Sequence, residues 1–231
     1  LGTGNAGMAA AGAARAAGKE VAMVESRDVG GTCPIRGCVP KKVLVAAAQV
    51  LDQIERAPAH HIDVGKPVLD WPKLIARKET FVAGVPDDFK KSLDGRGITL
   101  IDGRARFTGA NEVTVGDQSY SADRIVIATG SVARSLPIPG WEHTITSDDI
   151  LDMAEQPESL VFIGGGVIAM EFSHVLARAG TKVTILEALP RLLPRLEGDA
   201  VAVLQAETER LGVEIITDVN VDEIKPAKGG F

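Results

Sequence analysis

Two stretches of this chain carry the same alternation of glycine turn, helical spacing and apolar run. The first opens on Gly2-x-Gly4-x-x-Gly7, continues through an alanine-rich segment to Gly18, and ends in Val21-Ala22-Met23-Val24-Glu25. The second follows the strand-like run Ser159-Leu160-Val161-Phe162-Ile163 with Gly164-x-Gly166-x-x-Ala169, a helix over 169–179, Gly180 and Val183-Thr184-Ile185-Leu186-Glu187. At one constant offset Gly2, Gly4, Gly7, Gly18, Val21 and Glu25 fall on Gly164, Gly166, Ala169, Gly180, Val183 and Glu187. The pattern predicts two βαβ units of the dinucleotide-binding type. Glycines there allow a tight turn and close backbone approach to a pyrophosphate at a helix N-terminus, and the acid closing the strand can accept a ribose hydroxyl.

Between the repeats, Asp70-Trp71-Pro72 predicts a helix capped by Asp70 and running through Lys78 and Phe81 toward Phe89. Ile98–Ile101, Arg104–Phe107 and Glu112–Val115, separated by glycine-bearing turns, predict a small antiparallel β-meander. Arg124–Ser131 has the composition of a buried strand, Pro137-Ile138-Pro139-Gly140 marks a linker, and Ser147 with Asp148-Asp149 is expected to cap a short helix. This gives an α/β chain with a boundary near residue 150: a domain over 1–150 and a second over 151–231. After Glu187, prolines 190 and 194 alternate with Arg191 and Arg195, 199–211 has helical spacing, and Val213–Ile216 and Val219–Val221 read as strands. Leu1-Gly2 begins inside a fingerprint, and Lys228-Gly229-Gly230-Phe231 stops in an expected hairpin turn, so the chain reads as a fragment truncated at both ends.

Composition narrows the classes. A length of 231 residues with 45% hydrophobic content suits one large or two modest globular domains. The net charge of −6, without a basic stripe, argues against nucleic acid or an anionic membrane surface as partner. No apolar run reaches the roughly 18 residues of a membrane span, and two cysteines do not make a secreted disulfide scaffold, so a cytoplasmic location is expected.

Those two cysteines lie in Gly30-Gly31-Thr32-Cys33-Pro34-Ile35-Arg36-Gly37-Cys38-Val39-Pro40-Lys41-Lys42. Four intervening residues let two thiols on a turn and the following helix meet as a disulfide, and lysines nearby favour a thiolate. A helix starting near Cys38 would place that thiol at a positive N-terminus, with Cys33 the more accessible partner. Spacing alone leaves open a redox pair, a structural disulfide, a zinc half-site and two unrelated buried cysteines. The adjacent His60-His61 suit zinc poorly, and no metal is expected.

Gly-Gly-Thr-Cys, four residues, Cys and Val-Pro-Lys-Lys resemble the active-site segment of the flavoprotein disulfide reductases, the pyridine nucleotide-disulfide oxidoreductase family of glutathione reductase, dihydrolipoamide dehydrogenase and mercuric reductase. Pro34-Ile35-Arg36 departs from the Val-Asn-Val or Leu-Asn-Val that well-known branches carry. The resemblance implies two Rossmann-like units, one for FAD and one for NAD(P), with no C-terminal dimerisation domain in this chain. It implies Cys33 as interchange thiol, Cys38 as the thiol facing the flavin, and Lys41 near flavin N5 with Glu171 as its ionic partner. It implies FAD contacts at Gly2, Gly4, Asn5, Ala6, Gly7, Glu25, Thr32, Lys41, Lys42, Ala105, Ala128, Thr129 and Gly130. Nicotinamide nucleotide contacts would come from Gly164, Gly166, Val167, Ile168, Ala169 and Glu187. Glu187 argues for NADH, with NADPH as the alternative through Arg191 and Arg195. The implied enzyme is a homodimer acting on a small-molecule disulfide or thiol-reactive substrate, with residues 1–231 inactive alone. The competing expectation is a flavin-binding electron-transfer protein with a structural cysteine pair.

Overall fold

The computed structural model describes residues 1–227. The expected hairpin turn at Lys228–Phe231 lies outside them. The chain divides into two compact units, one built from 1–41 and 77–133, the other from 42–76 and 134 onward.

In the first unit the glycine turn leads into α1 (Asn5–Ala16), and Gly18, at φ +77°, reverses the chain into β1 (Ala22–Glu25). A left-handed residue after a helix end favours glycine because it lacks the Cβ clash. β1 pairs in parallel with β2 (Thr99–Asp102), from Ala22 opposite Thr99 to Glu25 opposite Asp102. Ala11, Met23, Val29, Leu93 and Ile98 form the small core beneath them. Each large side chain removed from water there contributes about 1.5–3 kcal/mol.

The helix expected from Asp70 toward Phe89 is two helices, α4 (Trp71–Val82) and α5 (Val85–Gly95). Asp70 caps α4 as expected, its Oδ1 accepting the Lys73 N–H at 3.1 Å. The break falls at Ala83-Gly84 because Gly84 is a poor helix former and Pro86 has no N–H to continue the ladder, whereas a proline is tolerated in the first turn of a new helix. The meander comprises β3 (Ala105–Gly109), β4 (Glu112–Val115) and β5 (Gln118–Ser121), paired antiparallel in that order. The third strand, Gln-Ser-Tyr-Ser, has too little apolar character to announce itself. Arg124–Ser131 is not the buried strand expected. It bonds Leu1, Leu1 N donating to Val126 O at 2.7 Å and Ala128 N to Leu1 O at 2.8 Å, and leaves Val126 and Ile127 exposed.

The second unit holds the larger core, with Leu44, Trp71, Leu151, Phe172, Leu176, Val183, Ile185 and Leu192 nearly inaccessible. Trp71 donates its indole N–H to Met153 O at 2.9 Å, which satisfies the one polar atom it buries. A parallel sheet runs in the order β6 (Ser159–Ile163), β7 (Lys182–Leu186), β8 (Glu214–Ile216), flanked by α7 (Val167–Ala179) and α8 (Gly198–Arg210). The cap of α6 (Ser147–Asp152) is Thr146 rather than Ser147: Asp149 Oδ2 reaches back, as the third residue of a capping box does, to accept the Thr146 N–H at 2.7 Å, and it also accepts the Thr146 hydroxyl at 2.8 Å. Val219–Val221 is not a strand; Asp218 and Val219 donate instead to Leu189 O and Glu187 O, both at 3.2 Å.

Candidate active site

The repeat read in the sequence is a repeat of backbone geometry. Gly2 and Gly164 sit at φ +102° and +104°, and each donates its N–H to the strand residue before the acid, Val24 O at 2.8 Å and Leu186 O at 2.7 Å. Gly4 and Gly166 are the N-caps of α1 and α7, both extended and both without a side-chain capping bond. Neither helix therefore has a side chain on its first-turn N–H groups, which Asn5 and Ala6 supply in one unit and Val167 and Ile168 in the other. All four residues are exposed. A helix N-terminus of this kind is a site for phosphate oxygens.

Both terminal acids turn inward to organise their own loops. Glu25 Oε2 accepts the Thr3 N–H at 2.9 Å and the Thr3 hydroxyl at 2.6 Å, while Oε1 accepts the N–H groups of Ser26 and Arg27 at 2.8 and 3.0 Å. Burial pushes this carboxyl up, yet the hydrogen bonds from Thr3, Arg27 and Ser26 together outweigh it and hold Glu25 below the usual carboxylate range. Glu187, nearly buried, accepts Gly165 N–H at 2.7 Å and Leu189 N–H at 2.9 Å. A carboxylate has about four lone-pair positions, so each acid that fixes its turn in this way keeps room for further donors only where the loop leaves it open.

Close backbone approach decides several of the glycines. A Cβ on Gly7 would stand 2.0 Å from Gly2 O, and one on Gly2 would stand 2.2 Å from Ala128 O. One on Gly31 would stand 2.5 Å from Gly4 Cα, in a residue at φ +73°. The glycine turn, the segment through Ala128-Thr129-Gly130 and the entrance to the cysteine segment therefore meet backbone to backbone. Thr3, fully buried, ties two of them together, because its Oγ1 also accepts the Gly30 N–H at 3.0 Å. No sequence signal singled out Thr3; it occupies a variable position of the fingerprint, and its counterpart in the other unit is Gly165.

The cysteine segment forms α2 (Thr32–Arg36), a turn at Gly37, and α3 (Cys38–Arg56). Both thiols are free and are hydrogen-bonded to each other. Two expectations are corrected. Cys38 is the exposed thiol and Cys33 the partly buried one, because Cys33 lies within α2 beneath the Gly37 turn whereas Cys38 opens α3 on the surface. The Cys38 thiol is also pushed up rather than down: its bond with Cys33, followed by burial and the Cys33 charge, outweighs the pull of its own backbone amide and the Lys41 ammonium. Lys41 is partly buried and Lys42 exposed on the first turn of α3, while Thr32 starts α2 and Ala105 starts β3 opposite Val115. Glu171 is partly buried on α7, in the unit that does not contain Lys41. Among the described residues no three His, Cys, Asp or Glu side chains gather as a metal site, and no helix is long and apolar enough to cross a membrane.

The sequence profile of the pyridine nucleotide-disulphide oxidoreductases matches residues 1–230. The chain belongs to this family. It is 33% identical over 235 residues to a dihydrolipoyl dehydrogenase of Acholeplasma laidlawii, a match covering 99% of this chain and 70% of that protein. It is also 33% identical over 231 residues to a glutathione reductase of Nostoc, covering 100% of this chain and 50% of the relative. Among solved structures it is similar to the HOCl-induced flavoprotein disulfide reductase RclA of Escherichia coli in a Cu(II) complex, with a TM-score of 0.85, 32% identity, and coverage of 98% of this chain and 50% of that one. The chain thus spans about half the length of most of these relatives. Its mixed α/β fold is that of a flavoprotein disulfide reductase of the pyridine nucleotide-disulphide oxidoreductase family.

Around the α2–α3 turn one further contact escaped the sequence reading. Arg36, between the cysteines, pairs through Nη2 with Asp28 Oδ2. Elsewhere His174 is half-buried on α7. It bonds Thr208 Oγ1 at 2.8 Å and the Arg178 guanidinium at 3.0 Å, a packing role.

Proposed function

We propose that this chain carries the nucleotide-binding and redox-active portion of an FAD-dependent NAD(P)H:disulfide oxidoreductase. Its two dinucleotide-binding units are read as Rossmann-like, over 1–150 and 151–231. The substrate would be a small-molecule disulfide or thiol-reactive compound, and the whole protein a cytoplasmic homodimer. The observation that carries the reading is the hydrogen bond between Cys33 and Cys38, in a segment that meets Gly4 backbone to backbone at Gly31.

The residues fit a flavin dinucleotide on structural grounds. Gly2, Gly7 and Gly31 lie where a Cβ would collide with neighbouring backbone, and the uncapped N-terminus of α1 offers its Asn5 and Ala6 amides to a pyrophosphate. Gly4, Glu25, Thr32, Lys41, Lys42, Ala105 and the Ala128-Thr129-Gly130 segment complete the proposed set. A bound flavin would supply two-electron transfer between reduced nicotinamide and a disulfide. The chain's own part is placement. The Gly37 turn holds two sulfurs within reach, Cys38 is assigned to the flavin side, and Cys33 to the attack on the substrate disulfide. Lys41 is assigned to hold positive charge beside the flavin.

In the second unit Gly164, Gly166, Val167, Ile168 and Ala169 would hold the nicotinamide nucleotide, and Glu187 supports NADH. Its carboxylate is fixed by two backbone donors, so a 2′-phosphate would meet a charge that cannot turn away. Arg191, the competing cation, spends its guanidinium on Pro194 O at 2.6 Å and Leu196 O at 3.1 Å within its own loop. Steady-state kinetics of the full-length protein with each nucleotide tests this: higher kcat/KM with NADH is expected, and higher kcat/KM with NADPH assigns the arginines instead.

A further inference from the structure

We propose that the Arg36–Asp28 ion pair is the positioning element that brings Cys33 and Cys38 within bonding distance. The inference rests on the redox role given to the two cysteines above. α2 is a five-residue helix with no fully buried residue, too short for cooperative helix formation to hold it, and its partly buried Ile35 lies beside Gly30. The Gly37 turn that follows, at φ −142° and ψ −111°, has no side chain to stiffen it. A segment of this kind fluctuates unless something outside it acts as an anchor.

Arg36 closes α2, and its side chain, 18% exposed, reaches Asp28. Asp28 stands on firm backbone: its carbonyl accepts Gly31 N–H at 3.1 Å, Val29 beside it is buried, and Gly30 N–H is held by Thr3 Oγ1. Arg27 also approaches Asp28, but at 3.7 Å with its side chain 61% exposed, so it is the weaker partner. The anchor thus runs from Glu25 through Thr3 and the Gly30-Gly31 turn to Asp28 and across to Arg36, which stands two residues before Cys38. A partly buried, charge-assisted contact is stronger than an exposed ion pair, and losing it should free the turn. The ammonium of Lys41 acts on Cys38 from the α3 side and is left unchanged in the test.

The test is ring closure in the full-length protein, measured without turnover. The exchange is balanced: the Cys33 and Cys38 thiols and one glutathione disulfide give the protein disulfide and two glutathione thiols. Reduced protein is equilibrated in glutathione buffers of graded ratio, quenched in acid, alkylated and mapped by mass. Arg36→Gln and Asp28→Asn should each lower the closure constant about tenfold. The charge-exchanged variant Asp28→Arg with Arg36→Asp should restore most of it, and Arg36→Lys should fall between. Molar salt should lower the constant of the unsubstituted protein and leave the single variants unmoved. Restoration by exchange also separates positioning from a general loss of fold. Constants unchanged in both single variants, or unrestored by the exchange, overturn the positioning role alone. An unsubstituted protein that closes no Cys33–Cys38 disulfide at any ratio overturns that role and the oxidoreductase reading together.

Discussion

Gly165 donates its backbone N–H to Glu187 Oε2 at 2.7 Å, the same bond that Thr3 makes to Glu25 Oε2 at 2.9 Å in the other unit. In both, the acid that closes the strand also locks the middle of the glycine turn. Glu187→Ala is therefore expected to act twice. It orphans the Gly165 and Leu189 donors, which costs about 1–3 kcal/mol of stability, and it should narrow the proposed preference for NADH. A melting curve beside kcat/KM for both nucleotides checks the pair of effects; a variant as stable as the parent contradicts the locking role.

Glu25 makes the first unit acid-sensitive. Its carboxyl lies below the ordinary 4.5 in the folded protein, so its contribution to stability is present above that value and is lost as pH falls through the lower, folded one. Glu25→Gln should flatten this part of a denaturant–pH series. Thr3→Val, which removes a donor to Glu25 and the acceptor of Gly30, should cost about 1–3 kcal/mol at neutral pH. An unchanged midpoint in denaturant would show that Thr3 is dispensable.

His174 predicts a separate, milder window. Burial first, then the Arg178 charge, holds its imidazole below the ordinary 6.5, so the neutral ring is favoured by folding. Stability is complete above pH 6.5 and declines as pH falls from there through the folded value, well before the carboxylates titrate. His174→Gln should remove this decline; a decline that persists in the variant assigns it to another group.

Gly31→Ala is expected to be severe. The new Cβ would press on Gly4 Cα at 2.5 Å from a left-handed backbone, and no flexible side chain is there to yield. Backbone strain of this kind costs about 1–3 kcal/mol before the clash is counted. Gly18→Ala is the control: it is left-handed too, with nothing within 4 Å, so it should show the strain alone.

The two glycine-turn units were legible because each small residue answers a local need that has only one solution, and Gly2 and Gly164 share a φ within two degrees. The cysteine segment was legible as a motif but not in its electrostatics. Sequence spacing suggests a lysine and a helix end acting on a lone Cys38, whereas the strongest influence on that thiol is Cys33 itself. What stayed hidden depends on tertiary approach. Thr3 and the Arg36–Asp28 pair each join segments that nothing in their neighbouring sequence associates. The break at Gly84 could have been found, since Gly-Val-Pro ends a helical pattern by simple rules, and the apolar periodicity on either side obscured it. Val126 and Ile127 carry strand composition without burial, because composition reports preference and only packing decides exposure.

The central claim is that Cys33 and Cys38 are the electron-accepting pair. Full-length protein with its flavin is oxidised, freed of oxidant, and titrated anaerobically with NADH while thiols are trapped by alkylation and mapped. The account predicts that two new thiols appear together per chain, at Cys33 and Cys38, as the first equivalent is consumed. Consumption of NADH with both cysteines unchanged in their labelling would contradict it.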